Sequence, residues 1–192
     1  MSKPVVIIVN GLPGTGKTTL AKRLAQDVRI PLFSRDGIYE TLYDALDCQN
    51  NGIPPLIAPA AFNMLYSVAS TLLSAGQSMM MEGFFGRPEL RSAELLKLQN
   101  AYDFEPFQIV CKTNGEVLLK RFLARMGAKE RHAGHSDREW IEQDENKERI
   151  LRGHLAPLAI GGTIVEIDTT TPDSFDYADL MERVQRALLN SR

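Results

Sequence analysis

A chain of 192 residues with 44% hydrophobic and 24% charged side chains carries enough apolar material for one domain with a sizeable core, and too little for two. Its formal net charge of −2 provides no general field toward nucleic acid or an anionic membrane, leaving only a local basic patch as a route to either. The two cysteines, Cys48 and Cys111, stand far apart and outside metal-ligand spacing, so both are expected as free thiols in a reducing compartment.

The N-terminus "MSKPVVIIVNG" passes from a short apolar stretch straight into glycine without a small-residue cleavage site, so it does not read as a signal peptide. No apolar run approaches the roughly 20 residues that span a bilayer, and the expected location is cytoplasmic. Residues 5–9 are a continuous β-branched and apolar run, the mark of a strand buried on both faces in a parallel sheet.

Directly after that strand, Gly11-Leu12-Pro13-Gly14-Thr15-Gly16-Lys17-Thr18 satisfies G-x-x-x-x-G-K-[ST], the P-loop pattern, followed by Thr19 and a helical period over 17–28. The composition has a physical reason. Glycines let successive N–H groups curl into an anion-binding nest, and the following helix adds its unpaired N–H groups and positive dipole end. The pattern assigns Lys17 to the β- and γ-phosphates of a nucleotide and the Thr18 hydroxyl to Mg²⁺. Lys17 is expected as an exposed loop lysine whose removal leaves the fold intact.

Residues 30–34, "IPLFS", read as a second strand and 35–46 as a helix. Asp36 then stands at the C-terminal end of a strand, where a parallel sheet gathers its ligands. Two readings stay open: a functional carboxylate, either base toward an attacking hydroxyl or a help in holding Mg²⁺, or the N-cap of the following helix, with Ser34 as a rival cap. Residues 47–55, "DCQNNGIPP", are expected as loop and 57–75 as a long apolar helix. With Phe62, Met64 and Tyr66, the 47–75 segment is the expected wall of an acceptor pocket.

A third strand is expected over 77–83, ending in Glu82, with Arg87 just before a helix around 88–100. Residues 107–111 form a fourth strand and 115–126 a helix with Arg121 and Arg125 on one face, four apart. Their planar forks suit phosphate oxygens; the bland reading is a solvated basic face. Residues 127–137, "GAKERHAGHSD", lack an apolar period, and His132 and His135 miss the i, i+4 spacing of a zinc pair. A charged helix over 138–152, a fifth strand over 163–168 and an amphipathic helix over 173–190 complete the chain. Strands alternating with helices specify an α/β fold with a parallel sheet covered on both faces. "NK" at Asn146-Lys147 is followed by Glu148-Arg149 and not by the x-D of a GTPase, which argues against a GTP switch.

Taken together, "GLPGTGKTTLAKRLA", "FSRD", "MEG" and "LLKRFLAR" resemble the small P-loop kinases grouped with chloramphenicol phosphotransferase, zeta toxin and the kinase domain of polynucleotide kinase, roughly over residues 4–170. The resemblance implies a P-loop NTPase fold, with a doubly wound five-stranded parallel sheet and a small helical lid near 121–138, in a single domain. It implies ATP and Mg²⁺, with Gly11, Pro13, Gly14, Thr15, Gly16, Lys17, Thr18 and Thr19 cradling the nucleotide. It makes Asp36 the base toward an acceptor hydroxyl, places Glu82 with Thr18 at the metal, and gives Lys17, Arg121 and Arg125 catalytic roles. Asp36, Glu82 and Arg87 would meet the substrate, and Arg131 belongs to the same lid. The implied activity is transfer of phosphate from ATP to a hydroxyl of a small molecule; the alternative is an ATPase or nucleotide switch without a diffusible acceptor. A nucleic-acid end kinase is disfavoured because Tyr39 stands where polynucleotide kinases tend to have arginine.

Overall fold

In the computed structural model, which describes residues 3–190, five strands form one all-parallel sheet in the order β2-β3-β1-β4-β5. They are β1 (Val5–Gly11), β2 (Leu32–Ser34), β3 (Met79–Gly83), β4 (Glu105–Lys112) and β5 (Thr163–Asp168). The side-chain period of two divides β1 between the faces. Val5, Ile7 and Val9 meet Leu20, Ala21 and Leu24 of α1 (Lys17–Val28) and Leu180 and Val184 of α9 (Tyr177–Asn190). Val6 and Ile8 meet Phe62, Leu65, Ala69 and Leu73 of α4 (Ile57–Ser74) and Leu95 and Leu98 of α5 (Pro88–Tyr102). Both faces are therefore covered, which is why the strands read as unbroken apolar runs.

The remaining helices gather at the C-terminal edge of the sheet. α2 (Arg35–Ala45) follows β2 without a linker, and α6 (Gly115–Arg125), α7 (Asp137–Glu142) and α8 (Asp144–Arg152) lie between β4 and β5. Leu12 of the loop after β1 is fully buried among Leu118, Phe122 and Ile150, so α6 and α8 rest on that loop.

Four local expectations need correction. The 47–55 stretch contains a short helix, α3 (Cys48–Asn51), and Cys48 is buried beside Tyr39, Tyr43 and Ile57 instead of lying in a polar loop. The 138–152 helix is two, because Gln143 is extended and Asn146 donates to the freed Trp140 carbonyl at 3.0 Å. That break lets Trp140 pack against Phe84 and Phe122. The last helix starts at Tyr177, where Asp176 accepts from the N–H groups of Ala178 and Asp179 at 2.8 and 3.1 Å. Finally, α4 has 18 residues and mean hydropathy 1.2, enough by length and composition to cross a membrane. In this fold its Ala61, Phe62, Leu65, Ala69 and Leu73 are buried core.

Candidate functional site

The loop between β1 and α1 is built on positions that only glycine fits. A Cβ at Gly11 would stand 2.8 Å from Thr15 Oγ1 and 2.9 Å from the Cys111 carbonyl. Gly14 and Gly16 have φ of 93° and 79°, the left-handed region costly to any residue with a Cβ. Thr15, fully buried, closes the turn by donating its N–H and hydroxyl to the Leu12 carbonyl at 3.2 and 2.9 Å. Pro13 is half-buried and Thr19 exposed. Gly16 caps α1 without any side-chain hydrogen bond, leaving the helix N-terminus open toward an anion.

Lys17 departs from expectation. It is 4% exposed, and its Nζ lies 3.6 Å from Oε1 of Glu82, which is fully buried. Parallel pairing of β1 and β3 carries Glu82 to the end of β1, opposite Val9. There Thr18 donates its hydroxyl to Glu82 Oε1 at 3.0 Å and Ser34 donates to Oε2 at 2.7 Å. The carboxylate thus holds the ends of β2 and β3 and the start of α1 in one cluster. Among the described residues no group of three or more His, Cys, Asp or Glu side chains could hold a metal ion by itself. One carboxylate and one hydroxyl are hard oxygen donors of the kind Mg²⁺ takes when phosphates and water complete its shell, so Glu82 and Thr18 fit such an ion.

Asp36 is not the helix cap. Ser34 is, accepting the Gly37 N–H at 3.3 Å, and Asp36 lies in the first turn with its side chain 31% exposed. Burial pushes its carboxyl upward, but the charges of Lys17 and Arg35, the Arg35 hydrogen bond at 3.0 Å and the charge of His135 outweigh it and hold the group below the usual carboxylate range. An ionised carboxylate beside the P-loop lysine, not used in capping, can accept a proton.

The two arginines that share a helical face part company at their guanidiniums. Arg121 donates to the carbonyls of Thr169 and Thr170, beyond β5, at 2.9 and 2.8 Å. Arg125 instead lies 3.6 Å from Asp137, which Arg131 grips with two bonds of 2.6 Å. Burial lowers the pKa of Arg125, the charge of Arg131 lowers it further, and the charges of Asp137 and Asp36 oppose both. Asp36 is therefore electrically close to Arg125. Arg87, the N-cap of α5, is exposed.

The loop that carries Arg131 is clasped to α2. Tyr39 donates its hydroxyl to the Gly134 carbonyl at 2.9 Å; His135 meets Glu40 at 2.7 Å and His132 meets Asp44 at 3.1 Å. Burial is the main reason the His135 imidazole sits below its ordinary range. A Cβ on Gly134 would stand 2.8 Å from Tyr43 Cδ2. Gly134→Ala is therefore expected to lift the loop off α2, seen as faster protease cleavage within 127–137, while nucleotide affinity measured by calorimetry changes little.

Sequence reasoning passed over Ser34's bond to Glu82, and over Arg35 and Arg91. Arg35 bonds Asp36 and lies 5.1 Å from the Phe62 ring centroid; Arg91 lies 3.5 Å over the same ring. The one signal available was Arg35's place beside Asp36 in "FSRD"; Arg91 looked like any charged residue of a helix.

A strand–glycine loop–helix unit with a lysine, hydroxyl and carboxylate at the C-terminal edge of a parallel sheet defines a P-loop nucleotide-binding protein. The profile of the AAA domain family matches residues 6–150, and the chain belongs to that family, with the fold of the small P-loop kinases. A protein from Chloroflexus aurantiacus J-10-fl, provisionally named a kinase, is 33% identical over 100% of both chains, with a TM-score of 0.84. Mycobacterium tuberculosis APS kinase CysC, solved with AMPPNP and APS, shares the fold at 17% identity over 98% of each chain, with a TM-score of 0.57. Kti12 from Chaetomium thermophilum, solved with ADP-AlF3, does so at 16% identity over 96% of this chain and 99% of its own, with a TM-score of 0.63. An uncharacterized protein of Mycobacterium tuberculosis is 28% identical over 130 residues, 62% of this chain. The match takes in only 25% of that longer protein.

Proposed function

We propose that this chain is an ATP- and Mg²⁺-dependent phosphotransferase acting on a hydroxyl of a small-molecule acceptor, in one catalytic domain with a lid near 121–138. The observation that carries the reading is Asp36, relieved of capping by Ser34 and paired with Arg35 in the first turn of α2, where that charge and the charge of Lys17 favour its ionised form. In the reaction the acceptor oxygen forms a new bond to the γ-phosphorus as its proton passes to the Asp36 carboxylate. The bond from that phosphorus to the bridging oxygen breaks and ADP leaves. Lys17 and the backbone from Gly11 to Thr18 hold the phosphates, with Thr19 following in the same turn. Glu82 and Thr18 would hold Mg²⁺, which supplies charge neutralisation to the phosphates. Arg125 and Arg131 neutralise charge on the transferred group, whereas Arg121, spent on the Thr169 and Thr170 carbonyls, braces the loop after β5.

Labelled ATP offered with sugars, nucleosides, antibiotics and polyols tests the assignment; transfer to one class supports it. Nucleotide binding that changes protease sensitivity, with no phosphate passed to any acceptor, would instead assign a switch or ATPase. Within the lead reading, Arg125→Ala should lower kcat by about 10²-fold while nucleotide affinity is nearly kept, because its charge is needed mainly in the transition state. Arg121→Ala, whose guanidinium is already spent on two carbonyls, should lower kcat far less. Identical kinetic profiles for the two variants would contradict this division.

A further inference from the structure

We propose that the acceptor carries an oxyanion, a carboxylate or a phosphate, beside its reacting hydroxyl, and that Arg35 and Arg91 bind it. The proposal rests on the reading of this site as a hydroxyl kinase.

Arg35 immediately precedes Asp36, and its stem lies over the end of β3, 3.1 Å from where a Cβ on Gly83 would stand. Its guanidinium carbon is 5.0 Å from the Tyr39 ring centroid and 5.1 Å from that of Phe62. Arg91 reaches the same Phe62 ring from α5, at 3.5 Å. The two side chains are only 16% and 11% exposed. Arg35 spends one amino nitrogen on Asp36, while its Nε is shut off from solvent without a hydrogen-bond partner. Arg91 gives one amino nitrogen to Glu94 at 2.6 Å.

Both guanidiniums lie against one aromatic ring, each with a single carboxylate partner, and a buried N–H without an acceptor is costly. An oxyanion bound at the two guanidiniums supplies the missing acceptor, and the arginine fork is shaped for it. The reaction adds a further reason. When Asp36 takes the acceptor's proton it becomes neutral, and Arg35 loses its counter-charge at that moment. An anion on the acceptor replaces it. Arg87 stands one turn before Arg91, whose N–H it accepts at 3.0 Å, and its exposed charge lies where it can steer an anion inward.

The test begins with a non-hydrolysable ATP analogue filling the P-loop, so that an added anion must bind elsewhere. Inorganic phosphate and acetate are then titrated against protein carrying ¹⁵N-labelled arginine. Saturable shifts of the Arg35 and Arg91 Nε–H resonances are expected, and Arg91→Gln should weaken binding about 10–100-fold, the worth of a charged hydrogen bond. Arg91→Lys, which keeps the charge but not the fork, should fall between. No shift, or equal affinity in Arg91→Gln, overturns the site. Glycerol, glycerate and glycerol 3-phosphate are next compared as acceptors with labelled ATP, alongside glucose, gluconate and glucose 6-phosphate. Transfer should favour the charged members, the preferred one telling carboxylate from phosphate, and Arg91→Gln should raise their KM with kcat largely retained. Preference for the neutral members overturns the proposal while sparing the kinase reading. Arginine-dependent anion binding without transfer to any hydroxyl does the reverse.

Discussion

Asp36→Asn is expected to reduce phosphoryl transfer by roughly 10²–10⁴-fold, the usual contribution of a positioned base, with nucleotide binding nearly unchanged and stability lowered only by the loss of Arg35's counter-charge. Asparagine keeps the size of the side chain and a hydrogen-bonding oxygen for Arg35, but it has no carboxylate to take a proton. Because Ser34 caps α2, loss of rate in this variant has no helix-capping contribution to be separated. The residue's surroundings also set a pH dependence. Its folded-state pKa is lowered, so the ionised base persists to lower pH than an ordinary aspartate would. Its contribution to stability is present above the ordinary carboxylate range and is lost as pH falls through the lowered value. Activity should therefore hold on the mildly acidic side until Asp36 itself protonates. Steady-state kinetics with a competent acceptor, beside calorimetric nucleotide binding, make the check. A fully active Asp36→Asn protein would remove the residue from the mechanism and leave Glu82 as the carboxylate to examine.

The second large effect belongs to Lys17, and burial changes what its removal means. In Lys17→Met the Glu82 carboxylate stays fully buried with only the Thr18 and Ser34 hydroxyls beside it. Breaking such a pair by removing one partner costs about 3–5 kcal/mol, far more than loss of a surface lysine. Glu82→Gln in the same chain removes the stranded charge, so the double variant should recover most of that stability. Neither variant should recover activity, because the phosphates have lost their lysine and the metal its carboxylate. Urea unfolding of the two single variants and the double variant measures the coupling. Unchanged nucleotide affinity in Lys17→Met would refute the phosphate site. A Lys17→Met protein as stable as the parent would show instead that the ion pair carries no stability.

What the sequence by itself determined is what local composition can encode. The apolar run before "GLPGTGKTT" could only be a doubly buried strand, and the glycines needed φ angles and close approaches that other residues resist. Those two facts, repeated as strand and helix along the chain, specify the parallel α/β fold and the phosphate loop. Helix ends were less legible, since the break at Gln143 depends on where Trp140 and Asn146 find partners. The site's chemistry was decided only by tertiary structure. Ser34 and Asp36 are equivalent caps in one dimension, and folding chooses between them by placing Glu82, 48 residues beyond Ser34, against the serine hydroxyl. Arg121 and Arg125 share a helical face, yet one finds the carbonyls after β5 and the other finds Asp137. Arg35 of α2 and Arg91 of α5 share the Phe62 ring only because α4 carries it to both. Periodicity is a property of neighbours along the chain, whereas the partner of a charge is set by whichever distant element the sheet order brings beside it.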